Sequence, residues 1–183
     1  GVQNHTTPLY RADFAQYLFD FVILSLHQVD NQEFHTQTFQ KDRTQKEYQE
    51  RYYQEILNVI QHYKDYSVLG HLDVINRYDL QGSYPLELLK PLITDILKIV
   101  IQDGKGIEVN TSSFRYGLPD LTPSMDILKL YRSLGGEIIT IGSDSHVSSH
   151  VGYKIKDIQS ILKELGYTHI YTFDKMVPMA HAL

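Results

Sequence analysis

Apolar, β-branched residues collect in five short runs, and between them apolar residues return every three or four positions. That alternation predicts strands and helices in turn. The strand stretches are Phe19 to His27, Ser67 to Asp73, Gly106 to Thr111, Ile138 to Ile141, and Thr168 to Phe173. The fourth breaks abruptly into Gly142-Ser143-Asp144-Ser145-His146. Strand side chains alternate faces, so Phe21, Ile23, Ser25 and His27 share one face, Glu108 and Asn110 share another, and Asp144 and His146 point the same way.

Before the first strand, Pro8 opens a short helix through Tyr17 with Thr7 as N-cap. The polar stretch Gln28 to Arg43 reads as a long loop. Thr44-Gln45-Lys46-Glu47 is a capping box, which starts a helix whose buried face carries Tyr48, Tyr52, Ile56, Val59, Ile60 and Tyr63. His62 lies off that face. Ser83 or Tyr84, before Pro85, starts the next helix, with Leu89, Leu92, Ile93, Ile96, Leu97 and Val100 as its core face. Pro91 either kinks that helix or marks its first turn, and Gly104 closes it. Thr122-Pro123 is an N-cap and N1 pair for a helix through Leu134, stopped by Gly135. Ile155, Ile158, Ile161, Leu162 and Leu165 mark a last helix, stopped by Gly166. Strand and helix alternating with short joints imply one α/β domain over residues 1–183, built on a parallel sheet.

Composition narrows the function. The 183 residues allow one domain with a substantial core. A formal net charge of -5 without a basic block argues against a nucleic-acid partner and leaves room for a small pocket that takes a phosphate. With no cysteine, a metal can be held only by His, Asp and Glu. Leu86 to Ile101 is the most apolar segment, but Glu87, Lys90, Pro91, Asp95 and Lys98 interrupt it, so no membrane span is expected. The N-terminus carries no signal-peptide pattern, and a cytoplasmic location is the expectation. No Gly-rich phosphate loop of the Walker or dinucleotide kind is present.

The chemistry sits at strand ends. His27, His71, Asn110, and Asp144 with His146 each close a predicted strand, as polar residues do at the rim of a (β/α) barrel. A carboxylate beside imidazoles suits zinc, manganese or iron. Taken singly, each histidine reads equally as a solvated turn residue; four such strand ends together point to a metal site.

These stretches resemble the PHP (polymerase and histidinol phosphatase) superfamily, in its histidinol-phosphatase branch. The resemblance rests on Phe21-Val22-Ile23-Leu24-Ser25-Leu26-His27, on Leu69-Gly70-His71-Leu72-Asp73, on Glu108-Val109-Asn110-Thr111-Ser112 running on to Arg115, and on Gly142-Ser143-Asp144-Ser145-His146. It implies a distorted TIM-like barrel of seven (β/α) units, here incomplete with about five, and a trinuclear centre of divalent ions. The implied activity is hydrolysis of L-histidinol phosphate to L-histidinol and phosphate in histidine biosynthesis. His27, His71, Asp144 and His146 would be metal ligands, and Arg77 and Arg115 would hold the phosphate of a small ester. Two other readings stay open: a non-catalytic remnant that binds metal or partners, and a phosphoesterase acting on nucleotides or nucleic-acid ends, which the acidic balance disfavours.

The family pattern also holds an N-terminal His-x-His strand, a further histidine and a glutamate, none of which occurs here; His5 stands in an unrelated context. The chain is therefore expected to be the C-terminal part of such a protein, with impaired activity. An open sheet edge would follow, and with it a homo-oligomer paired through that edge.

Overall fold

In the computed structural model, which describes residues 1–183, the alternation of the sequence becomes a parallel sheet flanked by helices. Helix α1 (Thr7–Gln16) precedes strand β1 (Ile23–Leu24), and a small hairpin of β2 (Gln28–Val29) and β3 (Gln32–Glu33) follows it. Then come α2 (Gln45–His62), β4 (Val68–Leu69), α3 (Leu86–Gln102), β5 (Gly106–Asn110), α4 (Met125–Ser133), β6 (Ile139–Gly142), α5 (Ile155–Glu164), β7 (His169–Asp174) and β8 (Val177–Ala182). The sheet order is β1-β4-β5-β6, all parallel, with Ile23 opposite Val68, Val68 opposite Gly106, and Glu108 opposite Thr140. No helix is long and apolar enough to cross a membrane.

The capping box forms as read: Thr44 Oγ1 accepts the Glu47 amide at 3.3 Å, and the Glu47 carboxylate accepts the Thr44 amide at 2.7 Å. It lays Tyr48, Tyr52, Ile56, Val59 and Ile60 into the core, while His62 stays outside. Helices α2 and α3 pack side by side, α3 lies on β5, and α5 lies on β6. Together they bury a single cluster that includes Phe34, Leu69, Ile93, Ile107 and Ile139. Gly104, Gly135 and Gly166 all take positive φ where helices end, as the stop signals require.

Several expectations change. The N-cap of α1 is Thr6, and Thr7 already sits inside the helix with its hydroxyl donating to the Asn4 carbonyl. The N-cap of α3 is Pro85 itself, which leaves Pro91 inside the helix, beyond its first turn. Thr122-Pro123 does not start α4: the Thr122 carbonyl accepts the Asn110 amide at 2.7 Å, and Ser124 caps the helix. Gln28 to Arg43 is ordered by the β2–β3 hairpin and by Val29, Phe34 and Phe39, all buried.

The fifth strand departs most. β7 pairs antiparallel with β8, His169 opposite Ala182 through Asp174 opposite Val177, so the parallel sheet has four strands and the last apolar run folds into a hairpin. The hairpin turn docks back on the segment before β1, where the Met176 amide donates to the Asp20 carbonyl and Phe173 meets Phe21 at a ring distance of 5.1 Å.

Candidate functional site

All four parallel strands deliver side chains to one cavity of about 380 Å³ at their C-terminal ends. From β1 the alternation carries Ile23, Ser25 and His27 onto its wall, as the period of two predicts. Past β4 comes His71; β5 contributes Glu108 and Asn110; past β6 stand Asp144 and His146. His71 (φ 28°) and Asp144 (φ 48°) occupy the left-handed region although neither is glycine. Such strained backbone is held in place by its surroundings and clusters at functional sites.

His27 and His71 meet directly, with Nε2 to Nε2 at 3.0 Å. Burial lowers His27; burial, then His27 itself, pushes His71 down to about 4. Both rings are therefore neutral near pH 7, and a neutral imidazole is the form that ligates a metal. The His71 Nδ1 is buried without any partner, in whichever tautomer the ring adopts.

Glu108 is the wall residue that strand patterning placed but did not assign a role. It is buried, its Oε2 accepts the His71 amide at 3.0 Å and the Asn110 side-chain amide at 3.3 Å, and burial raises its carboxyl against those two donors. Gly142 makes its space, and Gly70 makes that of the neighbouring Ser25. A Cβ on Gly142 would lie 2.1 Å from Glu108 Oε1, and one on Gly70 would lie 2.4 Å from Ser25 Oγ. A charged residue set between Ile107 and Val109 in an apolar strand run was the available signal.

Asp144 anchors a second set. Its Oδ2 lies 3.6 Å from Arg77 Nη1 and 3.2 Å from the Ser112 hydroxyl. Ser112 Oγ in turn accepts from Arg77 Nη2 at 2.6 Å and lies 2.5 Å from Asn110 Oδ1. Burial alone would raise the Asp144 carboxyl, but Arg77, His71 and Ser112 outweigh it and hold it below its ordinary value. The Arg77 guanidinium stacks over the Tyr116 ring at 4.1 Å. Ser112 and Tyr116, like Glu108, have no role assigned from the sequence; Ser112 lies inside a motif but carries no periodic signal of its own.

The other site residues lie further out. His146 sits exposed on the rim, its Nδ1 3.0 Å from the Asp144 carbonyl oxygen. Arg115 stands behind the wall, where Nη2 donates to the Asp144 carbonyl at 2.9 Å and the guanidinium lies over Tyr153. Arg77 Nε and Arg115 Nη1 are buried with no partner. No three His, Asp or Glu side chains converge closely enough to share an ion, because Asp144 is turned to Arg77 and Ser112. His5 bonds Asn31.

A family model described as "PHP domain" matches residues 2–112. Over 177 residues the chain is 29% identical to the histidinol-phosphatase of Lactococcus lactis subsp. lactis, which covers 91% of this chain and 64% of that protein. Over 153 residues it is 31% identical to a Thermotoga maritima protein named "Probable histidinol-phosphatase", covering 83% and 59%. The chain thus spans less than two thirds of the length of these relatives. A crystal structure of the Lactococcus lactis histidinol phosphate phosphatase with zinc, L-histidinol and phosphate superposes with a TM-score of 0.86 at 27% identity, over 98% of this chain and 69% of that one.

Proposed function

Since this chain belongs to the PHP domain family, we propose that it forms the larger part of a zinc-dependent phosphomonoesterase acting on histidinol phosphate. The observation that carries this reading is the facing pair of neutral imidazoles, His27 and His71, at 3.0 Å. Two imidazole nitrogens in contact, one of them on a ring whose other nitrogen has no partner, are a donor pair that a divalent cation fits. The likeness to the Lactococcus lactis enzyme, solved with zinc, L-histidinol and phosphate, supports the ion and the substrate.

In this reading His27 and His71 would hold a divalent ion as they stand, and Asp144 and His146, which do not converge with them here, would join them on binding. Bound there, such ions supply Lewis acidity and a water of lowered pKa. The chain's own groups do the rest. Arg77 presents a planar fork on the cavity wall, where its unpartnered Nε leaves an N–H that a phosphate oxygen would satisfy, and Arg115, behind that wall with Nη1 unpartnered, would support the phosphate from the second rank. Ser112 and Tyr116 fix the Arg77 plane, and Glu108 fixes His71 through its main-chain N–H. The product histidinol carries an ammonium and an imidazole, and Glu108 and Asp144 give the cavity the negative charge to receive a cationic body.

The test is zinc titration of this chain, followed by phosphate release from histidinol phosphate beside nucleoside monophosphates. Zinc binding lost in His27→Ala and His71→Ala, and chelator-sensitive release that Asp144→Ala removes and that favours histidinol phosphate, are the expected results. Unchanged zinc binding in both histidine variants, or preference for the nucleotides, overturns the reading.

A further inference from the structure

The turn after β4 serves two cavities. His71 faces the one already described, and Asp73, two residues on, forms part of the wall of a second cavity of about 390 Å³ between the α2–α3 region and the start of α4. Asp73 is 3% exposed. One oxygen, Oδ2, accepts the Ser124 amide at the start of α4 at 2.9 Å, while the other, Oδ1, is buried and has no partner. An unpaired buried carboxylate oxygen costs about 1–3 kcal/mol, so the fold leaves there an acceptor that some donor would stabilise.

The surroundings specify that donor. No lysine, arginine or histidine lines the cavity, whereas Asp79, Asp120 and Asp126 do. Asp79 is engaged by the Tyr48 hydroxyl and the Gln49 amide, and Asp126 by Lys129, so these two contribute potential rather than free oxygens. Asp120 accepts the Leu121 and Met125 amides. The carboxylates do not converge closely enough to share a bare metal ion. The remaining walls set the uncharged polar side chains of Asn76, Ser83, Thr122 and Ser124 beside an apolar and aromatic part that includes Tyr53, Tyr84, Leu86 and Leu121. A cation with an apolar body matches them, since its charge meets Asp73 and its carbons meet leucine and tyrosine.

We infer that this second cavity binds a small organic ammonium ion, anchored on Asp73 Oδ1 with its hydrocarbon part against Tyr53, Tyr84 and Leu121. The site is separate from the His27–His71 cavity and needs no metal.

The probe is benzylamine, with benzyl alcohol as the neutral molecule of matching shape, each titrated into the chain while the backbone amide signals of Leu121, Ser124 and Met125 are followed by NMR. Benzylamine is expected to move these signals saturably at millimolar concentration or below, and benzyl alcohol to leave them in place. Asp73→Asn keeps a carbonyl to accept the Ser124 amide and removes the charge; it should weaken binding about tenfold or more, the scale of one charge-assisted hydrogen bond. Ser83→Trp adds bulk at the exposed rim without touching the core, and should block binding even if Asp73→Asn proves poorly folded. No shift with benzylamine, equal shifts with the alcohol, or unaltered affinity in Ser83→Trp overturns the inference.

Discussion

Glu108 Oε2 accepts the main-chain N–H of His71 at 3.0 Å, so a side chain from the middle of one strand fixes the backbone at the end of its neighbour. That bond holds His71 at φ 28°, the conformation that turns its ring toward His27. Glu108 therefore acts as a positioning residue. Glu108→Ala should leave the His71 amide buried and unpaired, at a cost of about 1–3 kcal/mol in denaturant unfolding. Glu108→Gln keeps an acceptor and should recover most of that loss. Zinc titration separates positioning from packing alone: the alanine variant should bind about 10–100-fold more weakly, the usual effect of losing a group that orients a ligand. Equal zinc affinity in both variants would remove Glu108 from the site.

Gly142 gives an independent handle on the same carboxylate. A Cβ there would stand 2.1 Å from Glu108 Oε1, closer than any packed pair tolerates, and Glu108 has nowhere to go because His71 and Asn110 hold its other oxygen. Gly142→Ala is expected to lower stability by about 1–3 kcal/mol through overpacking and to loosen zinc binding with it. In the double variant with Glu108→Ala the clash disappears, so the two costs should fail to add. Additive losses in unfolding experiments would show that Gly142 is required for some other reason.

What the sequence revealed was mostly local. The capping box at Thr44 and the glycine stops at Gly104, Gly135 and Gly166 depend on neighbours within a few residues, and so were readable. The period of two put His27 on the cavity wall and Glu108 on one face with Asn110. What was missed depends on distant partners. Ser124 rather than Thr122 starts α4 because Thr122 bridges to Asn110 and Asp73 accepts the Ser124 amide. Asp144 and His146 do not simply alternate, since the strand ends at Gly142 and Asp144 takes a left-handed conformation. β8 was not foreseen at all, because Val177-Pro178-Met179 reads as a strand only once β7 lies beside it.

The abundance of tyrosine makes the fold sensitive to alkali. Burial pushes the Tyr63 hydroxyl up to about 12, and it raises Tyr48, Tyr52, Tyr53, Tyr66, Tyr131 and Tyr167 as well. In the unfolded chain a phenol ionises near pH ~10, so above that the unfolded state binds fewer protons than the folded one. The stabilisation these phenols give is complete below about pH 10 and is lost as pH rises through their folded values. The tyrosinate absorbance of these seven, half of the fourteen tyrosines, should therefore rise late and cooperatively, together with loss of helical circular dichroism. Absorbance that reaches the full value for all fourteen while the helices are intact would contradict the burial of this set.

The last prediction concerns β1, which pairs with β4 on one side only. On its other side the Val2 amide donates to the Ser25 carbonyl, and nothing comparable meets Ile23. Leu18, Phe19, Phe21 and Ile23 stand exposed along this margin, Leu18 fully so. An edge strand with bare apolar neighbours is a template for pairing with another chain, and native proteins commonly blunt such edges with lysine. The expected outcome is self-association of the chain through β1, rising with concentration in size-exclusion chromatography with light scattering. Leu18→Lys places a charge on this margin at its fully exposed position, away from the cavity wall that carries Ile23, and should shift the chain to monomer with its melting temperature nearly unchanged. A monodisperse monomer of the parent chain at high concentration would mean that this margin does not recruit a second copy.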